Sequence, residues 1–122
     1  MPIVDVQLVV PGTEGVTSGL AQAVADALGH LLASPPGRTW VRASTLPAAN
    51  YAENGARLAP DDLPVFVTLL LAAPPEGEAR VTQAARITTV VALAVGRDQS
   101  NVHIEYAAPG TGRMTFGGVL VQ

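Results

Sequence analysis

The feature that most constrains the fold of this chain is a pattern that occurs twice, with an offset of about 62 residues. Each half of the sequence predicts a strand, then an amphipathic helix, then a second strand. A helix that joins two strands of one sheet in this way requires parallel strands and a right-handed crossover. Two such units side by side predict an α/β (α+β) fold, with one four-stranded sheet and both helices on one of its faces.

The first unit is predicted over residues 2–61. Residues 3–10 alternate between apolar and other positions, so Val4 and Val6 share one face while Asp5 lies on the other. Thr17 or Ser18 is the predicted N-cap of a helix that runs to about residue 33. Residues 39–46 form the predicted second strand, and residues 47–63 a loop that is free to carry a short hairpin.

The second unit is predicted over residues 64–122, with strands at 65–72 and 101–107 and a helix at 78–95. Gly96 has the position of a residue that ends a helix in the left-handed conformation. The offset aligns Pro2 with Pro64, although the halves share pattern more than identity. We therefore predict a single domain, 1–122, built of two pseudo-repeats.

A sheet covered on one face leaves apolar side chains on the other. We expect these on the uncovered face: Val9, Trp40, Phe66 and Leu70. Burial of a large apolar side chain stabilises by about 1.5–3 kcal/mol, so self-association is the simplest way to cover them. The sequence thus predicts a closed homo-oligomer, in which the edge strands and residues 113–122 are able to hydrogen-bond across a subunit boundary.

Composition excludes several classes of function. The net charge is −3 and the basic residues are seven scattered arginines, which argues against nucleic-acid binding. The apolar stretches 65–73 and 90–95 are too short to span a bilayer, and the start of the chain lacks the features of a secretory signal. The absence of cysteine fits a reducing compartment, so we expect a cytoplasmic protein that does not act at a membrane.

Pro2 is the residue with the most specific chemistry. A small residue after the initiator usually permits removal of Met1, which would make Pro2 a free secondary amine at the start of a strand. An ordinary α-amino group has a pKa of about 7.7–8.0, and burial or a nearby cation lowers it further. That range suits a base that abstracts protons near neutral pH. The alternative is that Pro2 only begins an edge strand.

Four short motifs resemble one known family. They are Met1-Pro2-Ile3-Val4, the helix at 20–32, Val41-Arg42 in the second strand, and Phe116-Gly117-Gly118 near the end. In this order they resemble the tautomerase superfamily, which includes 4-oxalocrotonate tautomerase, 5-carboxymethyl-2-hydroxymuconate isomerase and macrophage migration inhibitory factor. The chain length is similar to that of the larger members, whose subunit holds two strand–helix–strand units and assembles as a trimer.

The resemblance implies a cofactor-free isomerase that acts on a small anionic oxo or enol acid. Pro2 would be the base, whereas Pro64 is an internal amide and has no basicity. Arg42 would contact the substrate carboxylate or polarise its carbonyl, and a guanidinium suits a carboxylate because it donates two parallel hydrogen bonds. Tyr51 and Phe116 would contribute an aromatic wall, and Arg113 or Arg80 a second cation. Arg42 has an alternative role as a surface partner of Glu53 or Asp62.

The chain also departs from the family. Residues 11–14 lack the second arginine that 4-oxalocrotonate tautomerase carries just after its first strand. Residues 74–77 lack the pair of arginines of the branches that dehalogenate, hydrate or decarboxylate, which argues against those reactions. His30 and His103 are weaker candidates, because a solvated or core-edge histidine explains each of them. No histidine or carboxylate cluster has metal-ligand spacing, so we expect neither a metal nor a cofactor. Two alternatives stay open: a non-catalytic trimeric ligand-binding or scaffold protein with the same fold, and one component of a hetero-oligomer.

Overall fold

The computed structural model describes residues 2–122, and Met1 lies outside the described residues. The two helices are α1 (Leu20–Leu31) and α2 (Glu78–Val95). The strands, in chain order, are β1 (Ile3–Val10), β2 (Trp40–Pro47), β3 (Val65–Leu70), β4 (Val102–Tyr106), β5 (Thr115–Phe116) and β6 (Val119–Leu120). Three short 3₁₀ turns lie at Ala48–Asn50, Pro60–Asp62 and Gln99–Asn101.

The main sheet has four strands in the order β2-β1-β3-β4. β1 and β2 are parallel and are joined through α1, while β3 and β4 are parallel and are joined through α2. The two units meet where β1 pairs with β3 in the antiparallel direction. The predicted fold class is confirmed, since both units lie side by side in a single sheet.

The two parallel pairs have the same register. Ile3 lies opposite Trp40 in the first unit, and Val65 lies opposite Val102 in the second. Both residues of the second pair follow those of the first by the same 62 positions that the sequence pattern predicts. The pseudo-repeat with its boundaries at 2–61 and 64–122 stays a prediction, and the shared register is what it would produce.

The core lies between one face of the sheet and the two helices, which pack against each other. Alternation along β1 buries Val4 and Val6, while Asp5 between them is exposed. The cluster of buried residues comprises Val4, Val6, Leu8, Val10, Val24, Leu28, Val65, Val67, Leu69, Ile87, Val91, Ala92 and Val102. Nearly all are β-branched or leucine side chains, which pack closely without any polar group to satisfy.

The start of α1 differs from the prediction. The helix begins at Leu20, and its N-cap is Gly19, which has a φ of 85° and makes no side-chain capping bond. The backbone carbonyl of Thr17 accepts a hydrogen bond from the N–H of Leu20, so the chain turns before the helix and neither Thr17 nor Ser18 caps it. The end of α2 is as predicted: Gly96 has a φ of 70°, and its N–H donates to the carbonyl of Ala92.

The uncovered face of the sheet is less apolar than predicted. Val9 is fully buried, and its N–H donates to the carbonyl of Pro64 at 3.0 Å. Of the four predicted apolar residues, only Phe66 is a large side chain that stays exposed, with 36% of its surface accessible. Tyr51 and His103 flank its ring, with centroid distances of 5.7 and 5.5 Å.

The C-terminal segment forms a small hairpin of its own. β5 and β6 are antiparallel, with Phe116 opposite Val119. Gly117 and Gly118 connect them with φ values of 58° and 86°, which suits a two-residue turn that side-chain-bearing residues adopt poorly. The sequence did not predict these two strands.

Arg97 ties the end of α2 to the sheet. Its guanidinium donates to the carbonyl of Leu63 at 2.7 Å and to that of Val9 at 3.0 Å. Partial burial lowers the pKa of Arg97 from its ordinary value. One side chain of the second unit thereby satisfies a backbone acceptor of β1 and one just before β3. None of the helices within residues 2–122 is long and apolar enough to cross a membrane.

Leu28 and Leu93 form a matched pair of helical leucines, fully buried and 79% exposed respectively. We expect Leu28→Ala to lower the free energy of unfolding by about 2–5 kcal/mol, because it leaves a cavity in the core. Leu93→Ala should change it by less than about 0.5 kcal/mol. Chemical denaturation at one fixed protein concentration measures both values, and equal losses would contradict the described core.

Arg97→Met should lower the free energy of unfolding by about 1–3 kcal/mol, because two backbone carbonyls lose a charged donor. Arg86→Met is the control, since Arg86 is an exposed arginine of the same helix. It should change the stability by less than about 0.5 kcal/mol. Thermal and chemical unfolding of the two variants tests the difference, and a silent Arg97→Met would show that the contact adds no stability.

Candidate functional site

A cavity of about 620 Å³ opens where β1 and β2 begin. Residues from three parts of the chain line it: the first residue of β1, the turn and strand 38–42, and the C-terminal hairpin. The lining residues are Ile3, Arg38, Trp40, Val41, Arg42, Thr115, Phe116 and Gly117. The cavity therefore combines an apolar wall with two cations, and no acidic residue lines it.

The apolar wall consists of two stacked aromatic rings. Trp40 and Phe116 have centroids 4.4 Å apart and planes inclined by 21°. Such an offset stack adds stability beyond the apolar area that it buries. It also fixes the hairpin against β2, which brings the predicted site residue Phe116 into the cavity.

Pro2 is the neighbour in sequence of one lining residue, Ile3, and is hydrogen-bonded to another, Trp40. Its carbonyl accepts this hydrogen bond from the N–H of Trp40 at 3.1 Å. Its side chain is buried. The backbone at the start of β1 is thus held against the start of β2, so Pro2 and the aromatic wall keep a fixed relation. The predicted removal of Met1 concerns a residue outside the described part of the chain, and it stays a prediction.

Arg42 lies at the same cavity, but its guanidinium already has a partner. Its Nε and Nη2 donate to the two carboxylate oxygens of Asp5 at 2.6 and 2.9 Å. The two residues are direct neighbours across the parallel strands β1 and β2. The hydrogen bonds and the charge of Asp5 raise the pKa of Arg42 above its ordinary value. The surface partner is thus Asp5, and the predicted alternatives Glu53 and Asp62 were wrong.

Arg38 also lines the cavity, although it was not among the predicted site residues. It is the last residue of the turn Pro35-Pro36-Gly37-Arg38, in which the N–H of Arg38 donates to the carbonyl of Pro35 at 3.1 Å. Gly37 has a φ of 75°, which together with Pro36 is the pattern of a type II turn. This Pro-Pro-Gly signal predicts a turn, but it does not reveal which surface the next side chain reaches.

Two of the predicted site residues lie elsewhere. Tyr51 borders a separate cavity under the loop before β3, and its hydroxyl donates to Glu53 at 2.7 Å. That hydrogen bond raises the pKa of Tyr51 above its ordinary value. Arg113 is exposed in the turn before β5 and does not line the cavity at Ile3.

The remaining candidates are also outside this cavity. Arg80 donates to the carbonyl of Pro75 at 2.7 Å and lies over the ring of Tyr106, 5.4 Å from its centroid. His103 is exposed beside Phe66 on the uncovered sheet face, and His30 borders a groove between α1 and β2. Within residues 2–122, no three histidine or acidic side chains lie close enough together to hold a metal ion.

The fold has clear relatives among solved structures. A fused 4-OT protein, a symmetric trimer, is 19% identical, with 98% of this chain and 94% of that chain covered at a TM-score of 0.72. Macrophage migration inhibitory factor from Oncomelania hupensis is 16% identical, with coverage of 100% and 83% and a TM-score of 0.72. The FG41 malonate semialdehyde decarboxylase, inhibited by 3-bromopropiolate, is 20% identical, with coverage of 94% and 88% and a TM-score of 0.69.

No protein-family model and no curated protein sequence matches the chain. At identities of 20% or below, these structural relatives establish the fold and leave activity aside. They extend over most of each chain, and they confirm the fold that the resemblance implies. The chain has the fold of the tautomerase superfamily.

Proposed function

We propose that the protein is a cofactor-free tautomerase or isomerase of small oxo or enol acids, with Pro2 as its base. The observation that carries the proposal is the position of Pro2, which lies buried at the start of β1 beside a cavity with an aromatic wall and two arginines. Several relatives in fold are enzymes by name, among them the malonate semialdehyde decarboxylase. The proposal requires that Met1 is removed, because an acylated proline nitrogen is not a base.

The reaction is a proton transfer that conserves all atoms. In ketonisation, the enol loses the proton of its hydroxyl oxygen and gains one at the neighbouring carbon, so the carbon–carbon double bond becomes a carbon–oxygen double bond. The nitrogen of Pro2 has the lone pair to take a proton and to return it at the other position. A base of this kind acts in its neutral form, in which the lone pair of the nitrogen is free.

The apolar wall and the cationic groups contact different parts of the substrate. Trp40 and Phe116 offer a flat surface to the hydrocarbon part of the acid. A guanidinium group at the same cavity attracts its carboxylate. An acid with a planar or unsaturated chain fits both demands, and phenylenolpyruvate is a suitable probe of this class.

We also propose that the protein assembles as a homotrimer. Phe66 is exposed on the uncovered face of the sheet, between Tyr51 and His103. Val119 and Leu120 of the hairpin are 72% and 45% exposed. Exposed apolar groups of this size favour association with another copy of the chain. The fused 4-OT relative is itself a symmetric trimer.

A second candidate function is a non-catalytic trimeric ligand-binding or scaffold protein. One observation favours it: Asp5 neutralises Arg42, the arginine that the family resemblance assigns to the substrate. The cavity would then still bind small molecules without turning them over. The two candidates differ in whether the amine of Pro2 affects the rate of a reaction.

Pro2→Ala should lower kcat/KM for the ketonisation of phenylenolpyruvate by about a hundredfold. This is the lower end for general base catalysis, because alanine still offers a primary amine. Pro64→Ala is the control, since Pro64 holds the matching position in the second unit and its nitrogen is an amide. The loss of the enol absorbance measures the rates, with correction for the spontaneous reaction.

Equal rates for the wild type and Pro2→Ala would remove Pro2 as the base and favour the scaffold. Intact-mass measurement on the same samples reports whether Met1 is present. We expect activity to follow the fraction that begins with Pro2. Full activity in protein that keeps Met1 would contradict the proposal in the same way.

Phe66→Glu should break or weaken the assembly, because it places a charge in the apolar centre of the uncovered face. Leu93→Glu is the control, since Leu93 is an exposed leucine on the helical side. Light scattering after size-exclusion chromatography should give the mass of three chains for the wild type and for Leu93→Glu, and a smaller mass for Phe66→Glu. A wild type that elutes as a monomer would contradict the trimer.

A further inference from the structure

The two arginines at the cavity differ in their availability to a ligand. Both guanidinium groups belong to the short stretch 38–42, and Trp40 lies between them in the sequence. Arg42 extends along the sheet toward β1, where it meets Asp5. Arg38 belongs to the turn before β2. The question of which one meets the substrate carboxylate is therefore decided by what each already binds.

Asp5 occupies one edge of the Arg42 guanidinium in the geometry that a carboxylate substrate would require. Both contacts are short, and they use Nε and one Nη, which is the fork that recognises carboxylates. The pair is fixed by strand register rather than by chance contact, because Asp5 and Arg42 lie directly opposite each other. Its net charge is zero. A substrate anion gains little from Arg42 unless it displaces Asp5.

Arg38 has no such competitor. Within residues 2–122, its guanidinium makes no hydrogen bond and no ion pair, and no acidic residue lines the cavity that it borders. The hydrogen bond from Arg38 to Pro35 and the positive φ of Gly37 fix its backbone. Trp40 is only two residues further along the chain, and its N–H donates a hydrogen bond to the carbonyl of Pro2. The cationic side chain of Arg38 therefore extends from a backbone that is held in place, close to the start of β1 where the proposed base lies.

We propose that Arg38 binds the carboxylate of the substrate, and that Asp5 keeps Arg42 out of this role. The inference rests on the function proposed above and specifies how its cavity selects an acid. The carboxylate lies at Arg38, the hydrocarbon part lies against Trp40 and Phe116, and the reacting carbon lies toward Pro2. Asp5 acts as a specificity residue, because it leaves the cavity with one available cation.

Steady-state kinetics of three arginine variants tests the assignment. With phenylenolpyruvate, Arg38→Met should raise KM by about 10- to 100-fold, the effect of losing a charged hydrogen-bond pair, with a smaller change in kcat. Arg38→Lys should recover part of the loss, because it keeps the charge without the fork. Arg42→Met should change KM by less than about twofold, as should the exposed control Arg86→Met.

A substrate without the charge provides a second comparison. The methyl ester of phenylenolpyruvate should have the same KM for the wild type and for Arg38→Met, since the ester cannot form an ion pair. A role of Arg38 in folding alone would raise KM for both compounds equally and would overturn the proposal. A rise in KM for Arg42→Met that equals or exceeds that for Arg38→Met would also overturn it.

Removal of the competing charge tests the role of Asp5. In the Asp5→Asn background Arg42 is released, so the KM for the acid should fall. Arg42→Met, silent in the wild type, should then raise KM by more than about threefold relative to Asp5→Asn alone. The two substitutions should therefore be non-additive. Additive effects would show that Asp5 does not restrain Arg42 and would overturn this part of the inference.

A binding measurement separates this inference from the proposed function. Trp40 is the only tryptophan of the chain and lines the cavity, so its fluorescence reports occupancy. Titration with 2-oxobutanoate should give a Kd that Arg38→Met raises at least about tenfold and Arg42→Met leaves unchanged. This result in a protein without turnover would retain the inference while the enzyme proposal fails. Absence of binding, or equal Kd values for wild type and Arg38→Met, would overturn the inference.

Discussion

The antiparallel pairing of β1 with β3 is the constraint on which the rest of the structure depends. Each strand–helix–strand unit alone has only two strands and one helix, too little to bury its own apolar face. The junction places Val6 opposite Val67 in the centre of one sheet, and both side chains are buried beneath the helices. It also leaves the other sheet face without helices, and that face carries both the Asp5–Arg42 pair and Phe66.

The proposed site lies where the two strands of the first unit begin, outside the core. Parallel pairing brings the starts of β1 and β2 together, so Pro2 and Trp40 are hydrogen-bonded neighbours although 38 positions separate them. The C-terminal hairpin then closes one side through the stack of Phe116 on Trp40. A cavity assembled from three chain segments can change its specificity by altering one of them while the buried valines and leucines stay constant.

The sequence predicted what depends on local periodicity and missed what depends on register. Alternation at Val4 and Val6 and the helical spacing of 78–95 identify elements directly, because they reflect one face of one element. The ion-pair partner of Arg42 depends on the register of β1 against β2, which the sequence does not show. Other acidic residues were therefore equally acceptable partners. Arg38 was missed because the sequence does not show that its turn and the C-terminal hairpin line the same cavity. Val9, which was predicted to lie uncovered, is fully buried.

The shared register of the two units has a consequence for chain architecture. Pro64 is fully buried at the start of β3, and its carbonyl accepts a backbone hydrogen bond, as that of Pro2 does. Once Met1 is removed, as proposed above, the peptide bond before Pro64 would be the only covalent difference between the two prolines. A version of the molecule divided there would consist of two short polypeptides, each with its own terminal secondary amine. After removal of Met1 the continuous chain would have only one such amine, and the two units would be chemically unequal.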